Sequence, residues 1–255
     1  MKIAILGAGA FGTALGGILA DNGYDIDYYD SKIEKENMAS VMDGSEYILL
    51  VTPSDAAPYL LPYVPKNIPL IIATKGLLGD KHFSEFDDYM VISGPGFADD
   101  IKAGKSTCFT VTNTRLKKLF EADYIRFDET DDVNGVLMCG ALKNVYAIQA
   151  GYLGLERNTL NWKEYIVSAA NEMREVLALN GADPDTVSLF CGIADLELTC
   201  GYPSRNFEYG DLLRKNSHYK PEKTVEGLEA LKRIKRGELK VPDGVTILKD
   251  MLERF

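Results

Sequence analysis

Short runs of aliphatic and β-branched residues recur through the first 130 residues, each bounded by turn-forming positions: Ile3–Leu6, Ile26–Tyr29, Tyr47–Val51, Leu70–Thr74, Met90–Ser93, Cys108–Val111 and Ile125–Phe127. Their alternation with helical stretches predicts a mostly parallel α/β sheet. From about Asp131 the period lengthens. Trp162, Ile166, Ala169, Ala170, Met173, Val176 and Leu177 recur at helical spacing and stop at Asn180-Gly181, a C-cap sequence. Asp183-Pro184 offers an N-cap followed by proline, and Pro203 and Pro221 punctuate later loops. The pattern therefore predicts an α/β domain over residues 1–130 and an all-helical domain over residues 131–255.

Composition narrows the function classes. With 46% hydrophobic residues in 255 the chain can bury a substantial core, and its formal net charge is −10. No long-range positive field draws it to nucleic acid or to an anionic membrane, so an anionic ligand has to be met by a few placed cations. The cysteines, Cys108, Cys139, Cys191 and Cys200, form no CxxC pair, and the two histidines, His82 and His218, are far apart, which argues against a metal site. Met1 to Leu6 runs straight into glycines instead of an apolar signal core, and no apolar stretch approaches the ~20 residues of a membrane span. A cytoplasmic protein with reduced thiols is expected.

Gly7-Ala8-Gly9-Ala10-Phe11-Gly12 follows the first predicted strand and opens a helix of small residues. Gly7 suits a tight turn, Gly9 lets backbone N–H groups approach a pyrophosphate, and Gly12 permits close helix–sheet packing. The second strand ends at Asp30, 18 residues beyond Gly12, where a carboxylate can hydrogen-bond ribose hydroxyls and repel a 2′-phosphate. A Rossmann-type domain binding NAD is the expectation. Lys32, close by, leaves NADP open.

Lys143 lies in Asn134–Leu155, whose apolar positions fit a buried helix. On such a helix Cys139, Gly140 and Ala147 would share its face, leaving room for a ligand beside the ammonium. The pattern alone favours a plainer outcome, a lysine that snorkels to solvent. Thr74-Lys75-Gly76 and Ser93-Gly94-Pro95-Gly96-Phe97-Ala98 close strands at their carboxyl ends, the edge where open α/β sheets bind ligands, although either also suits a simple turn. In Gly192–Cys200, Asp195 and Thr199 fall four apart on one helical face. Arg205, within Ser204-Arg205-Asn206, carries the planar fork suited to phosphate, yet alone this reads as a capped helix and a surface arginine.

Taken in order, GAGAFGTAL, TKG, SGPGFADDI, GALKNVYAIQAG, GIADLELTC, SRN and TVEGLEAL resemble the motif series of the NAD(P)-dependent glycerol-3-phosphate dehydrogenases, from residue 3 to about residue 231. The resemblance implies that Lys143 is the general acid/base. It implies a substrate site of Lys75, Lys143, Asn144, Asp195, Thr199, Ser204, Arg205 and Asn206, and a cofactor site of Gly7, Gly9, Ala10, Phe11, Gly12, Asp30, Lys75, Ala98, Arg205 and Glu226. No metal is implied, the partner is a small phosphorylated substrate, and a homodimer is left open. Only Ser31 to Ser45 separates Asp30 from Glu46, shorter than in the family, so the sheet is expected to lack a piece of its usual cover.

The reaction implied is hydride exchange between C4 of the nicotinamide and C2 of glycerol 3-phosphate or dihydroxyacetone phosphate, feeding glycerophospholipid synthesis. Lys143 would exchange the proton if burial, Lys75 and Arg205 pull its pKa down from ~10.4 against the opposing pull of Asp195. Two other readings stay open: a reductase of another small keto or hydroxy acid, and a non-catalytic NAD-binding sensor.

Overall fold

The computed structural model describes residues 1–31, 37–76 and 79–255. The chain forms two compact units, Met1–Thr74 with Asp80–Val133, and Lys75–Gly79 with Asn134–Phe255.

In the first unit the elements run β1 (Lys2–Leu6), α1 (Ala10–Asp21), β2 (Asp25–Tyr29), α2 (Met38–Met42), β3 (Tyr47–Leu50), α3 (Ala57–Leu60), β4 (Leu70–Ile72), β5 (Tyr89–Ser93), α4 (Ala98–Lys102), β6 (Thr107–Val111), α5 (Arg115–Leu119) and β7 (Ile125–Glu129). The strands form one sheet in the order β2-β1-β3-β4-β5-β6-β7, parallel except between β5 and β6. Central strands such as Ile3–Leu6 and Ile48–Leu50 are buried on both faces, which explains their unbroken apolar runs. Ile5, Leu15, Leu19, Leu49, Ile71 and Phe109 belong to the core beneath α1.

The chain leaves β1 toward β2 on one side and returns to β3 on the other, so the sheet's switch point lies between β1 and β3, beside the glycine turn. In the six-strand doubly wound order a third strand flanks the second. Here, among the described residues, α2, packed against β1 and β2, is the element between β2 and β3, and β3 pairs with β1. Among the described residues β2 is thus the edge of the sheet. Asp25 and Asp27 place charge on that edge, the usual protection of an unpaired strand, and Asp27 pairs with Lys2 at 2.9 Å.

The second unit is helical: α6 (Val133–Tyr152), α7 (Leu160–Leu179), α8 (Asp195–Thr199), α9 (Arg205–Lys215), α10 (Glu226–Lys235) and α11 (Ile247–Arg254). Asp183 accepts the Asp185 N–H and opens a 3₁₀ turn over Pro184–Ser188, so the expected cap and proline start a tighter turn than an α-helix. A π-turn over Phe190–Ala194 leads into α8. α6 is buried on all sides from Gly135 to Gly151, as a helix through the centre of a bundle must be. It crosses α9 backbone to backbone. A Cβ on Gly151 would lie 1.9 Å from the Phe207 carbonyl oxygen, and one on Gly210 1.9 Å from that of Ile148. Among the described residues, no helix is long and apolar enough to cross a membrane.

Candidate active site

In the first unit the glycine turn closes as its residue types predict. Gly7 has φ +120, and a Cβ there would lie 2.9 Å from the Val51 backbone, while a Cβ on Gly12 would lie 2.0 Å from the Gly7 carbonyl oxygen. Gly9, the N-cap of α1, has nothing within 4 Å of its Cβ direction. Among the described residues no side chain caps Gly9 and no acidic residue sits in the first turn of α1, so the positive end of the helix dipole carries no fixed counter-charge there. Ala10 is exposed and Phe11 half-buried against the core. Asp30 lies beside them, its Oδ2 accepting the Ala8 N–H at 3.1 Å. Two buried hydroxyls at carboxyl ends of the sheet's strands, Thr52 after β3 and Ser93 ending β5 with β4 between them, have no hydrogen-bond partner among the described residues. A tight glycine turn at a helix N-terminus, a carboxylate beside it and orphaned hydroxyls on the ligand-binding edge together fit a dinucleotide. Ala98 begins α4, which packs against α1, and lies half-buried on the same core as Phe11. Lys32 lies outside the described residues.

The second unit gathers the proposed chemistry. Lys143 on α6 is only 2% exposed and Asp195 on α8 only 1%, and the two form an ion pair. Lys75 reaches the same carboxylate oxygen from 3.5 Å. The snorkelling lysine favoured by the pattern is not what forms, because α6 lies inside the bundle and Asp195 supplies a buried counter-charge. Burial drives the Lys143 pKa down to about 7, Asp195 opposes that shift, and Lys75 adds to it. For Asp195 burial pushes upward, but the two ammonium groups outweigh it and hold the carboxyl below its usual range. Two cations share one carboxylate, so releasing the Lys143 proton leaves a neutral cluster. Of the cations expected to act on Lys143, Lys75 does so, whereas Arg205 stands exposed at the first position of α9.

Thr199, one turn after Asp195, donates its hydroxyl to the Asp195 backbone carbonyl at 2.6 Å. Ser204 caps α9, its hydroxyl accepting the Phe207 N–H. Asn206 joins two helices to a third: its Nδ2 donates to Asn144 Oδ1 at 2.8 Å, and its Oδ1 accepts the Gly227 N–H at 3.0 Å. Asn144 in turn donates to the Gly140 carbonyl at 3.0 Å. Gly227 permits this contact, since a Cβ would lie 2.5 Å from the Asn144 carbonyl oxygen. Its neighbour Glu226 begins α10, half-buried. Lys75, Lys143, Asp195 and Thr199 thus form one cluster, and Asn144, Asn206 and the Glu226-Gly227 turn a second one joined to it through α6. Among the described residues, no group of three His, Cys, Asp or Glu is arranged to hold a metal.

Residues 132–251 match the profile of the NAD-dependent glycerol-3-phosphate dehydrogenase C-terminus. A glycerol-3-phosphate dehydrogenase [NAD(P)+] of Leptospira biflexa is 33% identical over 86% of this chain and 81% of its own. The chain belongs to the NAD(P)-dependent glycerol-3-phosphate dehydrogenase family. A second member, from Lactobacillus acidophilus, is 32% identical over 82% of this chain and 78% of its own. The fold agrees as well: a solved glycerol-3-phosphate dehydrogenase from Coxiella burnetii superposes with a TM-score of 0.81 at 24% identity, covering 100% of this chain and 95% of that one.

Two structural roles in this family member, those of Asn206 as a connector and of Glu172 as a cap, carried no signal in the sequence. The partners of Asn206 are 62 and 21 residues away, so its role as a connector is invisible to local spacing. Glu172 on α7 is buried and accepts the Thr246, Ile247 and Leu248 N–H groups at 2.6, 2.7 and 3.0 Å, capping α11. A glutamate beside the apolar stripe of α7 was the available clue.

Proposed function

We propose that the protein interconverts glycerol 3-phosphate and dihydroxyacetone phosphate with NAD(H) or NADP(H), feeding glycerophospholipid synthesis. The observation that carries this reading is the buried Lys143–Asp195 pair with Lys75 beside it, in a chain of this family.

Gly7, Gly9, Ala10, Phe11 and Gly12 would hold the dinucleotide, with Asp30 on the adenosine ribose and Ala98, Lys75, Arg205 and Glu226 as further contacts. When bound, the nicotinamide supplies or takes up the hydride exchanged with C2 of the substrate. Lys143 gives its Nζ proton to the C2 oxygen during reduction and takes it back during oxidation. A group titrating near 7 serves both directions at neutral pH. Asp195 holds the ammonium in place, and Thr199 braces the turn carrying Asp195. Arg205, exposed and suited to a dianion, anchors the phosphate with Lys75, Ser204 and Asn206, so that binding energy far from C2 orients the reacting carbon. A protein of net charge −10 thereby meets an anionic substrate with local cations.

Asp30 favours NADH over NADPH by repelling a 2′-phosphate. The free cysteines support a reducing, cytoplasmic setting, and a homodimer remains part of this reading. The test is the loss of nicotinamide absorbance on adding dihydroxyacetone phosphate, run in parallel with NADH and NADPH. Rapid oxidation supports the reading. No oxidation in protein that binds NADH would overturn it.

A further inference from the structure

The acid/base lysine and its counter-ion sit on different helices, and one of those helices cannot hold itself in place. α8 has five residues, far below the length at which a helix is stable alone, and it lies between a π-turn and a bend. Its far end is held from outside. Trp162 on α7 donates its indole N–H to the carbonyl of Cys200, the C-cap of α8, at 2.7 Å.

Three residues along the same helix, Tyr165 donates its hydroxyl to the Tyr146 carbonyl at 2.6 Å, with Gln149 Oε1 at 3.2 Å. Tyr146 and Gln149 follow Lys143 on α6 by three and six residues. Tyr146 O, inside a helix, takes this as a bond beyond the helical ladder. One turn of α7 therefore grips both the helix that bears Asp195 and the helix that bears Lys143. α7 itself is tied again to α6 and to α11 through Glu172, which meets the Tyr146 hydroxyl at 3.4 Å and caps α11.

We propose that Trp162 and Tyr165 are positioning residues that set the separation of Lys143 from Asp195, and with it the proton affinity of the reacting amine. Among the described residues neither hydrogen-bonds to the pair: their polar atoms go to Cys200, Tyr146 and Gln149. Each acts through a backbone carbonyl, that of Cys200 at the end of α8 and that of Tyr146 inside α6, and the 20-residue helix links the two grips. The titratable groups acting on Lys143 are Asp195 from α8 and Lys75 from the loop after β4, and Lys143 in turn acts on the Cys200 thiol. The inference rests on Lys143 being the proton donor.

The experiment uses the full chain and two variants made separately, Tyr165→Phe, which removes one hydroxyl, and Trp162→Phe, which removes the indole N–H with part of its ring, each releasing one grip. Val176→Ala, buried further along α7, is the control for destabilisation alone. Steady-state kinetics with NADH and dihydroxyacetone phosphate are paired with an NMR titration of 13Cε-labelled lysine, which reads the Lys143 midpoint without turnover. Each Phe variant is expected to lower kcat roughly tenfold with KM for NADH unchanged, since a misplacement of about 1 Å can cost up to 10²-fold. The Lys143 midpoint should fall as Asp195 draws away, while Val176→Ala moves neither at a matched loss of Tm. Wild-type kcat and midpoint in both Phe variants overturn the proposal, as does an equal change in Val176→Ala. Turnover retained by Lys143→Ala would defeat the proton-donor reading instead, and the NMR midpoint would still report on the grips.

Discussion

Lys75 Nζ stands 3.5 Å from Oδ2 of Asp195, the same oxygen that pairs with Lys143. Three ionisable groups converge on one buried point. Burial, with Lys75 adding its repulsion, lowers the Lys143 pKa to about 7 despite the attraction of Asp195, so Lys143 can release its proton near neutral pH. Reduction needs protonated Lys143, so its rate should fall as pH rises through about 7, and oxidation should rise over the same range. Asp195→Asn removes the attraction that opposes burial and should move both inflections to lower pH. Lys75→Met removes a repulsion and should move them up. Rate profiles of both directions check the sign, and an inflection indifferent to both substitutions would break the assignment.

Lys143→Ala should cut turnover by about 10²–10⁴, the usual contribution of a placed acid/base group, while NADH binding survives. Fluorescence titration of NADH beside single-turnover kinetics separates the two. Turnover near wild type would place the proton elsewhere.

Arg205 is exposed at the start of α9, so its replacement by alanine leaves the core intact. The expected effect is on KM for dihydroxyacetone phosphate, raised by about tenfold or more, as for loss of a charge-assisted anchor worth roughly 1.5–3 kcal/mol. An unchanged KM would mean that another residue holds the phosphate.

Asp30 accepts the Ala8 N–H at 3.1 Å and so borders the glycine turn directly. Asp30→Ala should relax discrimination against NADPH, read as the ratio of kcat/KM for the two coenzymes. A preference left as it was would show that the ribose is read by another group.

Gly210→Ala would drive a methyl to within 1.9 Å of the Ile148 carbonyl oxygen, a backbone atom that cannot give way without parting α6 from α9. The cost should be at least the ~1–3 kcal/mol of overpacking, visible as a lower Tm. Gly237→Ala, open to space but with φ +79, should cost less and act only through local backbone strain.

The seven sheet strands and the two long helices were legible in the sequence because their signals are local. Runs such as Ile48–Leu50 are apolar since both faces of a central parallel strand are covered, and Gly7, Gly9 and Gly12 are spaced by the geometry of one turn. Motif order likewise placed Lys143 and Asp195 among the candidates. What the sequence left undecided was whether Lys143 snorkels or is buried, because that depends on α6 lying inside the bundle and on a partner 52 residues away. The same holds for Asn206 bridging Asn144 and Gly227, for Glu172 capping α11, and for β2 becoming the sheet edge. Periodicity and turn chemistry are properties of neighbouring residues and can be read along the chain. Burial, counter-charge and the pKa that follows from them are properties of groups brought together from distant segments, so tertiary packing alone decides them.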